Sequence, residues 1–201
     1  MMPPKSTRTP QRQDRREQIL AAALASFVER GFYGTAIPQI AEAAGIAAGT
    51  IYHYFDSKEA LVNTLYRTCK AQVAQRVFTK FPHAANAREQ FRAMWLEIFA
   101  YAMEAPTAFV FIELHNHASY LDDESRAVDR SVREFAEQMI VRAQGQGLLK
   151  PLGPKMLMEL VFGAFVGTMR AHLERRIVLD DAAIRDAEQA CWDAVATPAG
   201  R

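Results

Sequence analysis

Residues 37–54 read IPQIAEAAGIAAGTIYHY, and this stretch decides the fold. Ala41, Gly45 and Ile51 are spaced by four and six, with Ile40 and Ile46 beside them. Two helices that cross closely need a small residue at their contact, which Ala41 supplies. The sharp turn between them wants a positive φ, which Gly45 supplies. Ile40, Ile46 and Ile51 can then pin the pair to a preceding helix. This is the helix-turn-helix arrangement, whose second helix can lie in a DNA major groove. An ordinary αα-corner can imitate the spacing, so the surrounding chain has to be read with it.

Outward from this stretch the helical period recurs almost everywhere, with no useful strand alternation and no internal repeat. Ile19, Leu20, Ala23, Leu24, Phe27 and Val28 make one apolar stripe on a helix expected from about Asp14 to a stop at Gly31. A short helix is expected over Ala36–Ala44, with Thr35 as N-cap and Pro38 in its first turn, and another over Ala47–Tyr54. Ser57 caps a long helix whose buried side carries Leu61, Leu65, Cys69, Val73 and Val77. After the break at Phe81-Pro82-His83, helices are expected over Asn86–Glu104, Thr107–Tyr120, Asp122–Gln144, Pro154–Arg176 and Asp180–Ala196. The expected fold is all-α. Its domains are a disordered basic arm (1–13), a three-helix helix-turn-helix domain (14–60), a larger helical-bundle domain (61–196) and a frayed tail (197–201).

Half of the 201 residues are apolar and the net charge is +1, so a sizeable core is available but the chain is no polycation. Nucleic-acid affinity must come from a local patch. The first sixteen residues offer one, with Lys5, Arg8, Arg12, Arg15 and Arg16 against Asp14 alone. Such a segment can be a solvated leader, or an arm that follows phosphates or enters a minor groove. Cys69 and Cys191 sit in apolar-periodic stretches without metal-ligand spacing, as expected of structural thiols in a reducing cytoplasm. Met1–Pro10 is polar and lacks the apolar run of a signal peptide. Met156–Met169 is too short to span a bilayer and reads as a buried helix. A soluble cytoplasmic protein with no membrane partner is expected.

Gly31-Phe32-Tyr33-Gly34-Thr35, Ile40-Ala41-Glu42-Ala43-Ala44-Gly45-Ile46, Gly49-Thr50-Ile51-Tyr52-His53-Tyr54-Phe55 and Ser57-Lys58-Glu59 with Leu61 together resemble the TetR family N-terminal domain. Order and gaps agree over about Arg15–Leu65, and the remainder agrees in architecture. The resemblance implies a homodimeric regulator, most often a repressor, that binds a palindromic double-stranded operator and is released by a small molecule. It carries over DNA contacts residue by residue. Thr35 and Lys58 would touch phosphates, and Tyr54 and Tyr52 would offer phenolic OH groups to the DNA backbone. Ala47, Ala48, Gly49, Thr50 and His53 would face the groove. Tyr52 equally suits core packing, whereas Phe55 reads as core. Ala36 and Ala47 stand where the family often has Ser or Thr, and Ala48 where a longer polar side chain is frequent. The recognition helix therefore offers no Arg, Asn or Gln for a bidentate base contact. Base readout falls to His53, Thr50, methyl contacts and DNA shape.

In the larger domain, Trp95, Phe99, Met103, Phe109, Phe162, Phe165 and Met169 are ordinary core residue by residue, but collectively can enclose an apolar effector pocket. Glu113 and His117, four apart, share a helical face. They suit a structural polar pair, a pair orienting a ligand, or a metal, although no third ligand stands nearby. No cofactor motif and no metal set are found. The last two helices read as the dimer surface: Leu157, Leu160, Val161, Ala164, Phe165 and Thr168 on one, with Gly163 and Gly167 permitting close approach, and Ile184, Ala187, Cys191, Trp192 and Val195 on the other. An enzyme or carrier built as a helical bundle would need a nucleophile–base pair, a phosphate loop or a metal set, and none is recognisable. A regulator that activates, or that answers to no ligand, fits the same residues.

Overall fold

The computed structural model describes residues 8–198, with side chains from Arg12 onward. Lys5 and the start of the expected basic arm, and the last three residues of the expected tail, lie outside the described residues. The described helices are α1 (Arg8–Arg30), α2 (Ile37–Ala43), α3 (Ala48–Ile51), α4 (Lys58–Lys80), α5 (Ala87–Glu104), α6 (Pro106–Phe109), α7 (Asp123–Gly145), α8 (Pro154–Leu173) and α9 (Asp181–Val195). A π-helical turn, Val110–Leu114, continues α6. No strand is formed among the described residues, apart from one bridge between Leu149 and Ala196.

Residues 8–13 are helical, so this part of the expected arm is the first turn and a half of α1 rather than a disordered leader. The tail is also tethered at its start, because the Thr197 N–H donates to the Leu148 carbonyl at 2.9 Å. The α2 N-cap is Ala36 and not Thr35, with the Gln39 side chain accepting from the Ala36 N–H at 2.8 Å. The helix expected over Thr107–Tyr120 stops at Leu114, since the chain widens to π pitch and His115 turns extended. The last long helices have the expected starts: Pro154 opens α8, and Asp180 caps α9 by accepting from the Ala183 N–H at 2.8 Å.

The chain forms two compact units, divided differently from the expected boundary at 60/61. One contains the residues up to Cys69 together with Thr107–Ser125, and the other contains Lys70–Pro106 and the residues from Arg126 onward. Polar and aromatic pairs hold 107–125 in the first unit. Asn63, buried on α4, donates Nδ2 to the Tyr120 carbonyl and accepts the Asp122 N–H, both at 2.8 Å. Depriving those backbone groups of their partner costs about 1–3 kcal/mol each. Arg67 binds Asp122 at 2.9 Å, Phe27 stacks on Phe111, and Phe32 stacks on Tyr120 with centroids 4.3 Å apart. Ile19, Ala23 and Phe27 of α1 close the core with Ile40, Ile51, Phe55 and Leu61, all buried. Each of the larger side chains contributes about 1.5–3 kcal/mol by leaving water.

In the second unit α5 packs on α9 and α8. Trp95, Phe99, Leu157, Phe165, Met169, Cys191 and Val195 are buried there. Glu188 is buried at 1% exposure, held by Arg88 at 2.9 Å and Arg92 at 3.2 Å. The expected buried helix at 156–169 is buried on one side alone. Leu157, Phe165 and Met169 point inward, while Met156, Leu160, Gly163 and Ala164 form an exposed row. By length and composition α8 would also suit a membrane span, but its inward side belongs to this core.

Candidate nucleic-acid interface

Ala41 is buried where α2 meets its neighbours, and Gly45 takes φ +63° to turn the chain toward α3. The Ile46 N–H returns to the Ala41 carbonyl at 3.0 Å, closing that turn. Gln18 of α1 donates to the Ala44 carbonyl at 2.8 Å and so fixes the end of α2. Ile51 and Phe55 then point into the core, which leaves the intervening and preceding residues facing outward. Ala47, Gly49 and His53 are exposed, and Ala48, Thr50 and Tyr54 are half-buried. Tyr52 is 54% exposed, so its core-packing reading is overturned: Ile51 and Phe55 already fill the interior. A Cβ at Gly49 would meet nothing within 4 Å, so the protein's own packing does not require glycine there.

Thr35 is placed differently from its expected role. It is 2% exposed, and its hydroxyl lies 2.7 Å from the Gly31 carbonyl and 3.1 Å from that of Ser26. That hydroxyl closes the α1–α2 turn from inside and is not presented to a phosphate. Lys58 supports the same turn. Its ammonium donates to the carbonyls of Phe32 at 2.9 Å and Thr35 at 3.0 Å, and lies 4.2 Å from the centre of the Phe32 ring. Tyr33, to which the sequence assigned no role, is 77% exposed at this turn, its ring edge-on to Phe32. The available signal was two consecutive aromatics before a tight turn, of which the core can take only one.

The nine residues expected to line an effector site divide between the units. Trp95, Phe99, Met103, Phe162, Phe165 and Met169 lie in the second, and Phe109, Glu113 and His117 in the first. A chain of rings runs Trp95–Phe99–Phe165–Phe162, with centroids 5.0, 4.9 and 6.0 Å apart. Met103 instead lines an open groove of about 290 Å³ with Leu96, Leu179, Ile184 and Arg185. Glu113 and His117 do not share a helical face, because the helix ends between them. His117 is buried, with Nε2 2.5 Å from the Phe111 carbonyl and Nδ1 2.7 Å from the Tyr120 hydroxyl. Burial pushes the Tyr120 phenol up to about 12, so it keeps its proton and donates to Nδ1. His117 is then the Nε2–H tautomer, donating to Phe111, which uses both ring nitrogens structurally. Among the described residues no three His, Cys, Asp or Glu side chains come together as a metal site.

The expected α9 dimer face is largely internal. Trp95 donates to the Ile184 carbonyl at 3.3 Å, Phe91 lies 5.3 Å from Trp192, and Cys191 and Val195 are buried. Burial pushes the Cys191 thiol up to about 11, as suits an inert core thiol.

Comparison with known proteins places both halves. Residues 19–65 match the family model described as bacterial regulatory proteins, tetR family, and residues 66–197 match that of the tetracyclin repressor-like C-terminal domain. The HTH-type transcriptional repressor KstR2 of Rhodococcus jostii is 43% identical over 67 residues, 33% of each chain. This chain thus matches a third of that repressor's length. The HTH-type transcriptional regulator RutR of Escherichia coli O157:H7 is 30% identical over 153 residues, 75% of this chain and 71% of that one. A TetR family regulator of Marinobacter aquaeolei VT8 superposes with a TM-score of 0.83 at 27% identity, over 94% of this chain and 99% of that one. The matched models describe regulatory proteins, which sets aside the helical-bundle enzyme. With both halves matched in order, the chain belongs to the TetR family.

Proposed function

We propose that this chain is a DNA-binding transcriptional repressor that acts as a homodimer on a palindromic operator and is released by a small, largely apolar molecule. The observation that carries the reading is the outward face of residues 47–54. A fully packed helix-turn-helix presents Gly49, Thr50, Tyr52, His53 and Tyr54 to solvent, with open space above Gly49 for a close-lying partner. A phenol, an imidazole and a hydroxyl suit phosphates and base edges. Lys58 contributes charge at the start of α2, with two of its three N–H donors already engaged. The sign of regulation rests on the likeness of the helix-turn-helix part to a repressor. A chromosomal target implies a cytoplasmic protein.

The dimer reading rests on α8. Met156, Leu160, Gly163 and Ala164 recur at helical spacing and are exposed, a face whose apolar area suits a second copy of itself. Two-fold symmetry would then match two half-sites. The effector reading rests on the aromatic interior of the second unit, with Trp95 at its centre. Selection from a random-sequence duplex pool by the purified protein tests the function: an enriched inverted repeat is expected, and no enrichment from a folded dimer contradicts it. Quenching of Trp95 fluorescence in a Trp192→Phe background tests the effector side. Reporter expression should rise when the gene is deleted.

A further inference from the structure

The recognition segment lacks the charge that DNA binding needs. Residues 37–57 contain no Lys or Arg, and include Glu42 and Asp56. Lys58, next along the chain, already serves two carbonyls. Affinity for a duplex comes mainly from cations that replace condensed counterions on phosphates. The α1 helix brings such cations to the edge of this segment. The Arg12 guanidinium lies 5.9 Å from the centre of the Tyr54 ring, and that of Arg16 5.5 Å from the centre of Phe55. Arg15 donates to the Gln18 amide oxygen at 2.9 Å, and Gln18 in turn holds the Ala44 carbonyl. Rings and an amide fix these side chains without cancelling their charge, as a carboxylate would. The neighbouring Glu17 accepts from Gln13 at 2.7 Å. Arg12 and Arg15 are exposed, whereas Arg16 is half-buried against the core.

We propose that Arg12 and Arg15 form a pre-positioned phosphate clamp beside the recognition segment, supplying affinity without reading sequence. The proposal rests on the DNA-binding reading above. The helical extension from Arg8 is what makes the clamp rigid: a loose leader would lose ordering entropy at each phosphate, whereas Arg12 is already seated on Tyr54.

The test compares the full-length protein with an Arg12→Ala, Arg15→Ala variant and an Arg12→Lys, Arg15→Lys variant. Affinity is measured against salt on two probes, a duplex enriched by the wild type from a random pool and a random-sequence duplex of equal length. The slope of log affinity on log salt should become shallower by about 1.8 per protomer in the alanine variant, about 0.9 for each phosphate no longer neutralised. The lysine variant should keep the wild-type slope, and the ratio between the two probes should stay unchanged in all three proteins. Wild-type binding with an unaltered slope in the alanine variant overturns the clamp alone. A fall in the probe ratio also overturns it, in favour of base reading. Failure of the wild type to bind either duplex overturns the DNA reading and the clamp with it.

Discussion

Two of the outward helix faces among the described residues are built from opposite chemistry. The face of residues 47–54 combines small residues with a hydroxyl, an imidazole and two phenols, over an interior closed by Ile51 and Phe55. The α8 face offers Met156, Leu160, Gly163 and Ala164 over an interior closed by Leu157, Phe165 and Met169. Each face lies opposite side chains that are already buried. The first can answer a polar, phosphate-bearing partner, and the second can answer only apolar surface. The partner of a helix is thus read from what its outer side offers after the inner side has been satisfied.

The largest effect should come from breaking the apolar face. A Leu160→Glu, Ala164→Glu variant would bury unpaired carboxylates twice over in a symmetric dimer, a cost of more than about 5 kcal/mol. Sedimentation should show a monomer with unchanged helix content. A dimer of wild-type affinity would break the comparison. An interior change should act differently: an Arg88→Met, Arg92→Met variant leaves the buried Glu188 carboxylate without those partners, and should cost about 3–5 kcal/mol in a denaturant titration.

The polar face is expected to discriminate weakly per base, since residues 47–54 include no Arg, Asn or Gln. In a series of mutated operators, single base changes should each cost no more than about 3 kcal/mol, whereas altered half-site spacing should cost more. Gly49→Ala sharpens the point with opposite signs in two measurements. It should raise stability by up to about 1 kcal/mol, since alanine favours helix and the Cβ meets open space. It should nevertheless weaken DNA binding, because the same space is where the groove must approach.

The smallest effect is electrostatic and involves neither face. Burial pushes the Glu97 carboxyl upward, but hydrogen bonds from Lys80 and Arg76 outweigh it and hold the group below its ordinary range. A depressed carboxylate stabilises the fold above its unfolded value, about 4.3, and loses that contribution as pH falls through the folded value. Glu97→Gln should therefore flatten the acid limb of a stability–pH curve, below about pH 5, and leave neutral pH less stable than wild type.

The helix-turn-helix was legible because its geometry demands particular residues at fixed gaps: Ala41 at the crossing, Gly45 at the turn, and Ile40 and Ile51 inside. What Thr35 and Lys58 do was not legible, because a hydroxyl or ammonium at a turn serves a backbone carbonyl as readily as a phosphate. The end of the helix after Pro106 was hidden because widening to π pitch at Val110–Leu114 keeps the apolar period while shifting its register. The helix end at Leu114 is what separates Glu113 from His117. On α9 one apolar face was plain in sequence, but an apolar face suits a second copy as well as the chain's own core, and only packing against α5 shows that Cys191, Trp192 and Val195 face inward.

Operator binding is best read by footprinting on the DNA that flanks the chain's own gene, with wild type beside a Tyr52→Ala, His53→Ala variant at one fixed salt. Both side chains are exposed, so the variant should remain folded and dimeric. A two-fold symmetric protected site that the variant loses is expected. Protection that survives in the variant, or none from a folded wild-type dimer on any flanking segment, would contradict it.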